Sequence, residues 1–386
     1  MLRFIPRTVL ILGIVSFLND TASEMITPML PLFLTATLGA GPAVVGLVEG
    51  VAEATASLLK LISGWLADRG WNHKKLVVGG YSMSNLARPL IGLALGWGWV
   101  LVLRFLDRVG KGIRTSPRDA LIAASTTDAL RGRAFGFHRA LDNAGAMAGP
   151  LVAYVLLSHG LDIGQVFLWS LVPGVLVLTF LIGGLPDTQS VVVSKLPPLR
   201  WTRLAPPVRG LIVATGGLAL ATAPEAFLVL WASDRGLRLA WVPLIWAGAS
   251  AVKAVIAAPA GMLSDRYGRR PVLLGGWTLR IALLVVLALT ANGHGGAGLT
   301  WLIFLAYAAA LAATEGAERA LVGDFTEPAQ RGTAFGLYHM TVGLAALPGA
   351  LLFGGVWQVW GSPVAFGLAA ALAAASVTAL LLLGRR

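Results

Sequence analysis

Residues 47–70 read LVEGVAEATASLLKLISGWLADRG, and the run is as long and nearly as apolar as a bilayer crossing. Inside it stand Glu49, Glu53 and Lys60, before the charged exit at Asp68 and Arg69. A charge at the centre of a lipid-facing helix costs roughly 2.5–3.5 kcal/mol on insertion scales. With about 100° of turn per residue, the three charges fall within about 40° of one another. They share one face with Ala56, and that face must look into protein or water rather than lipid. The stretch therefore predicts one span of a helical membrane bundle with a polar interior.

The rest of the chain extends the pattern. Its 386 residues are 56% hydrophobic and only 12% charged, with a mean hydropathy of +0.77. Soluble domains carry about a quarter charged residues, so a soluble protein is excluded. Twelve apolar runs of bilayer length fall near 8–35, 44–66, 76–96, 99–124, 134–157, 165–185, 210–232, 240–263, 272–291, 300–323, 334–356 and 364–384. The expected fold class is an all-α membrane protein of twelve transmembrane helices. Arg3 and Arg7 precede the first run as in a signal peptide, but no small-x-small cleavage site follows, and the run continues through MITPMLPLFL as a retained helix. The chain has no cysteine, which removes disulfides and thiolate metal sites.

A net charge of +12 raises the question of nucleic acid. The placement of the bases answers it. Under the twelve-span count, the connections bearing Arg69, Lys74, Lys75, Arg131, Arg133, Lys195, Arg200, Arg266, Arg269, Arg270 and Arg331 share one side with both chain ends, whereas the opposite side has Arg235 and Arg238. This is the asymmetry of the positive-inside rule, so both termini are expected in the cytoplasm of a multi-pass protein of the cell (inner) membrane. No nucleic-acid partner is expected.

The chain also repeats itself. RGRAFG at 131–136 returns as RGTAFG at 331–336, GWLADR at 64–69 as GMLSDR at 261–266, and TASE at 21–24 as TAPE at 222–225. The offsets are 200, 197 and 201. Two parallel halves are expected, an N-terminal six-helix bundle over 1–185 and a C-terminal one over 210–386. A Pro- and Arg-bearing cytoplasmic linker at 186–209 joins them. Parallel repeats of this kind are related by an axis along the membrane normal, with a site near the midplane.

On these motifs the whole chain resembles the major facilitator superfamily. The family signature between helices 2 and 3, G-x-x-x-D-R-x-G-R-[RK], is complete at Gly261, Asp265, Arg266, Gly268, Arg269 and Arg270. The first copy keeps Gly64, Asp68 and Arg69 but shifts the glycine. The helix-4 signature R-x-x-x-G is met by Arg108 and Gly112, and an antiporter-associated helix-5 motif only in part, by Gly145, Gly149 and Pro150. A closer likeness joins SLLKLISGWLADR and RFLDRVGKGIRTSPRDALIA to a bacterial efflux-type group. The resemblance implies two six-helix bundles, alternating access, a gating role for the two signature copies, and a cavity lined by helices 1 and 7.

The buried charges then become candidates. Asp20 and Glu24 lie one turn apart in the first span, and Glu225 matches Glu24 in the second half. With Glu49, Glu53, Lys60, Lys253, Glu315 and Glu318 they are expected to line a cavity that handles substrate and protons, Glu24 being the leading proton carrier. Arg104, Arg108 and Lys111 form a basic stripe in the fourth span. Asp107, Arg114, Arg118 and Asp119 nearby read as structural or gating pairs. His138 and Asp142, four residues apart, form a candidate relay or a packing network. The acids favour a small organic or cationic substrate exported against protons; the alternative is an organic anion or phosphate ester held by the Arg104, Arg108 and Lys111 stripe. RVGKGIRT lacks the first glycine of a phosphate loop, since Phe105 stands there. No H-x-x-x-H pair exists for zinc. No metal, cofactor or enzymatic activity is expected, and the partners are a small-molecule substrate, protons and the lipid bilayer, with the protein a monomer.

Overall fold

In the computed structural model the described residues are 6–69, 71–127, 130–185, 206–293, 296–324, 326 and 331–383, and no strand occurs among them. Most of the expected linker at 186–209, including Lys195, lies outside the described residues, as does the side chain of Asp68. The helices follow in chain order: α1 (Arg7–Glu24), α2 (Leu30–Leu32), α3 (Pro42–Asp68), α4 (His73–Leu90), α5 (Trp97–Ala124), α6 (Arg131–Ser158), α7 (Ile163–Trp169) and α8 (Leu171–Gly184). Then come α9 (Pro206–Leu220), α10 (Glu225–Asp234), α11 (Val242–Tyr267), α12 (Arg269–Thr290), α13 (Ala297–Asp324), α14 (Arg331–Trp360) and α15 (Ser362–Leu383).

Among the described residues, eight helical stretches are long and apolar enough to cross a membrane. They lie at Pro42–Ala67, Arg133–Ser158, Ile163–Gly184, Val208–Asp234, Leu239–Tyr267, Arg269–Thr290, Ala297–Val322 and Ala334–Trp360. α5 fails on composition, because Arg104, Asp107, Arg108, Lys111, Arg114, Arg118 and Asp119 crowd into one helix.

The first run of each half is interrupted, where the sequence predicts a continuous span. α1 ends at Glu24, and turns over residues 25–29 lead to α2 and a π-helical turn at Phe33–Thr37. In the second half α9 ends at Leu220, and Pro224 caps the start of α10. Pro28, Pro31 and Pro224 withhold backbone donors at these points, which is the physical cause of the breaks. Interrupted backbone at membrane depth is tolerated only where protein or a wet cavity covers it. Glu24 is thus the last residue of one helix and Glu225 the first of another.

The chain divides into two compact units, Met1–Leu38 with Thr55–Leu196, and Gly39–Ala54 with Pro197–Arg386. Glycines set the helix contacts within each. In the first unit α4 and α5 meet at Gly80 and Gly110, where a β-carbon on Gly80 would stand 2.6 Å from the Gly110 carbonyl oxygen. α6 lies on α1 at Gly145 and Gly149, the glycines of the partial helix-5 motif, which face the backbone at Phe17 and Thr21. In the second unit the first half of α3 packs on α14, Gly50 against Leu347 and Gly354 against Pro42. Apolar packing fills the remainder, for example Phe227, Phe353, Trp357 and Phe366 with ring centroids 4.8–6.0 Å apart.

Candidate functional site

α5 places Arg104, Asp107, Arg108, Lys111 and Arg114 at three- and four-residue steps, so they project from one face. Asp107 has no exposed surface. Its Oδ1 accepts from Arg88 Nε at 2.8 Å, and its Oδ2 from Arg108 Nη2 at 2.7 Å and Arg104 Nη1 at 3.5 Å. Arg88 comes from α4 and also donates through Nη1 to the Asn19 side-chain oxygen at 2.9 Å and the Asn19 carbonyl at 3.2 Å. Arg114 donates to Ser84 Oγ at 2.8 Å and lies over the Tyr81 ring at 4.3 Å, while Ser84 donates to the Asp107 carbonyl at 2.9 Å. Two members of the basic stripe, Arg104 and Arg108, therefore close on Asp107. Ion pairs so deep in a bundle persist only when further hydrogen bonds satisfy both partners.

One turn of backbone away lies a second group. Asp20 accepts from Asn19 Nδ2 at 2.9 Å and is in hydrogen-bonding contact with Asp142 on α6. Asp142 also accepts from Ser16 Oγ at 2.7 Å and Arg139 Nη1 at 3.0 Å. Lys111 and Arg114 of α5 are the cations that act on Asp20. His138 makes no hydrogen bond to Asp142: its ring is buried, and its Nε2 has no partner among the described residues. Arg118 pairs with Asp119 at 2.9 Å.

The other expected cavity residues divide between the units. Glu24 is half-buried at the end of α1, its β-carbon beside Gly149. On α3, Ala56 is buried in the middle of the charged stripe while Glu49 and Lys60 are half-buried and Glu53 is exposed. In the second unit Glu225 pairs with Lys253 of α11. Glu318 of α13 accepts from Trp277 Nε1 at 2.8 Å and Tyr338 Oη at 2.9 Å, and Glu315 is exposed. Among the described residues no three His, Asp or Glu side chains converge as metal ligands.

The signature copies sit at helix ends. Arg269 opens α12 and joins Asp265, Ser264 (2.8 Å) and Asp324 at the end of α13 (3.2 Å). Asp265, in the last turn of α11, thus engages the first residue of α12. Arg266 lies over the Tyr267 ring at 5.4 Å, Arg270 is exposed, and Gly261 is half-buried. In the first copy Arg69 lies over Trp65 at 3.5 Å, and Gly64 packs by Ser116. Sequence reasoning missed Asn19, Asp324, Trp277 and Tyr338. Asn19 only adjoins Asp20, and Asp324 stands opposite Ala124 at the 200-residue offset of the repeat, so no spacing signal marks either.

A helical membrane bundle with its charges turned inward is the build of a solute carrier. The Major Facilitator Superfamily profile matches residues 12–252 and 226–386, and the chain belongs to that family. It is 30% identical over 366 residues to an uncharacterized MFS-type transporter of Methanocaldococcus jannaschii, covering 92% of this chain and 90% of the relative. Multidrug resistance protein MdtH of Photorhabdus laumondii is 30% identical over 136 residues, 35% of this chain and 33% of that one. Among solved structures, an inward-facing, occupied bacterial homolog of the lysosomal transporter Spinster superposes with a TM-score of 0.79 at 17% identity, over 98% and 96% of the two chains. A POT family transporter gives 0.81 at 12% identity, covering 99% of each. These two likenesses show the fold. The protein is a multi-pass membrane transporter.

Proposed function

We propose that the protein is a proton-coupled secondary transporter that exports a small organic compound by alternating access, with twelve spans in two six-helix bundles and both termini in the cytoplasm. The observation that carries the coupling is the meeting of two carboxyls, Asp20 on α1 and Asp142 on α6, the latter held against α1 by the 2.7 Å bond from Ser16 Oγ. An ionised carboxylate only accepts hydrogen bonds, so two carboxyls bond to each other when one of them holds a proton. The pair sits between α1 and α6, beside Lys111 and Arg114, where a proton is exchanged against nearby positive charge. Proton carriage is therefore assigned to Asp20 with Asp142, and Glu24 and Glu225, at the two helix breaks, to substrate contact and gating. The exposed Glu53 and Glu315 favour a cationic solute, and the partial likeness to MdtH supports export. The second reading is an organic anion or phosphate ester at the Arg104, Arg108 and Lys111 stripe, which requires the two arginines to leave Asp107 when the solute binds.

The test uses proteoliposomes with an imposed pH gradient, loaded in turn with a fluorescent organic cation and with an organophosphate. Asp20→Asn and Asp142→Asn abolish gradient-driven accumulation while leaving substrate binding. Glu24→Gln weakens binding but leaves the dependence on the gradient. Retained accumulation in Asp20→Asn contradicts the assignment.

A further inference from the structure

The carboxyl pair and the guanidinium cluster are not separate. Asn19 joins them: its Nδ2 donates to Asp20 Oδ1 at 2.9 Å, and its Oδ1 accepts from Arg88 Nη1 at 2.9 Å. Arg88 in turn is fixed by the Nε bond to Asp107 at 2.8 Å. The line from Asp142 through Asp20, Asn19, Arg88 and Asp107 to Arg108 is thus an unbroken run of polar contacts across α6, α1, α4 and α5.

An amide offers one donor edge and one acceptor edge. Arg88 has no acceptor, so its fork must meet the oxygen of Asn19, and the amide nitrogen is left to face Asp20. Asn19 is 1% exposed and Arg88 1%, so no bulk water reorients either group. The amide thus holds Asp20 by its Oδ1, on the carboxyl that meets Asp142.

We propose that Asn19, oriented by Arg88 and Asp107, is the positioning residue that selects the Asp20 oxygen on which the transported proton is held. The proposal rests on the proton-coupled reading above and adds a residue to it. The other charged and titratable groups facing the pair are Lys111, Arg114 and Arg118 from α5 and Tyr81 from α4. α6 adds His138 and Arg139, and α1 itself places Glu24 one turn beyond Asp20. None of these donates to or accepts from the Asn19 amide, so a change at Asn19 removes one contact of the pair together with the oxygen that holds Arg88, and Arg88→Lys tests that second loss by itself.

The experiment is an infrared pH titration of the purified full-length protein in lipid nanodiscs, following the protonated-carboxyl band, and it needs no substrate. The difference between the parent and Asp20→Asn isolates the contribution of the pair. In Asn19→Ala that contribution moves by about one pH unit, a tenfold change in proton affinity, toward higher pH because a donor to the ionised form is lost. Arg88→Lys keeps the charge but loses the fork, and it moves the titration in the same direction by less. Asn85→Ala removes an amide that reaches Asn19 and Arg88 only at 3.4 Å and leaves the titration in place. An unmoved titration in both Asn19→Ala and Arg88→Lys overturns the proposal, and so does an equal shift in all three variants, which would mark general loosening of the bundle. If Asp20→Asn removes no titrating carboxyl, it is the proton-coupled reading itself that fails.

Discussion

Asp107 is a carboxylate with no exposed surface, ringed by Arg88, Arg104 and Arg108. Removing one partner of a buried pair leaves uncompensated charge, which costs about 3–5 kcal/mol. Asp107→Asn retains shape but leaves three guanidinium groups around a neutral amide, so thermal unfolding in detergent shows a loss of that order. Arg139→Gln is the counterpart at the surface. Its side chain is 67% exposed against Asp142, and exposed pairs are worth about 0–1 kcal/mol, so its melting temperature stays close to the parent's. Equal losses in the two variants would mean that Asp107 is wet rather than buried. The face bearing Arg104, Asp107 and Arg108 is legible from helical spacing alone. That Arg88 and Asn19 complete it is not, because the register between two helices depends on three-dimensional packing that no spacing within one segment records.

Between elements, close approach is governed by glycine. α4 and α5 touch backbone to backbone at Gly80 and Gly110, and a β-carbon on Gly80 would sit 2.6 Å from the Gly110 carbonyl oxygen and 2.8 Å from Arg114 Cβ. Gly80→Ala therefore forces the helices apart and stretches the bonds from Ser84 to Asp107 and from Arg114 to Ser84. Gly79, its neighbour, has nothing within 4 Å of an added β-carbon. There alanine removes the entropic penalty of glycine in a helix, worth up to about 1 kcal/mol. Thermal unfolding of the two variants moves in opposite directions, Gly80→Ala down and Gly79→Ala level or up. A common direction would deny the close contact. The repeated TASE and TAPE segments were readable as equivalent first helices, and Pro28, Pro31 and Pro224 were present to warn of a break. What the repeat did not carry is that one half breaks after its glutamate and the other before it, since a few residues of turn suffice to shift the interruption.

At the scale of the whole molecule the proposal is a count of crossings and an orientation, both legible from hydropathy, repeat offset and the skew of Lys and Arg. The charged α4 and α5 fall outside the eight stretches that length and composition alone mark as spans. They test the count most sharply. Trp71 precedes α4 and Gly96 follows it, so if α4 crosses, these two positions face opposite compartments. Six crossings, α5, α6, α7 with α8, α9 with α10, α11 and α12, separate Gly96 from Gly293, which places both on one side. The chain has no cysteine, so single cysteines report without background. Gly96 has no atom within 4 Å of an added β-carbon, and Trp71 is 55% exposed, so both substitutions fit. In intact cells an impermeant maleimide labels Gly96→Cys and Gly293→Cys, while Trp71→Cys reacts only after the membrane is opened. Inverted labelling reverses the orientation drawn from the basic residues. Labelling of Trp71→Cys and Gly96→Cys from the same side removes α4 as a crossing and with it the twelve-span count.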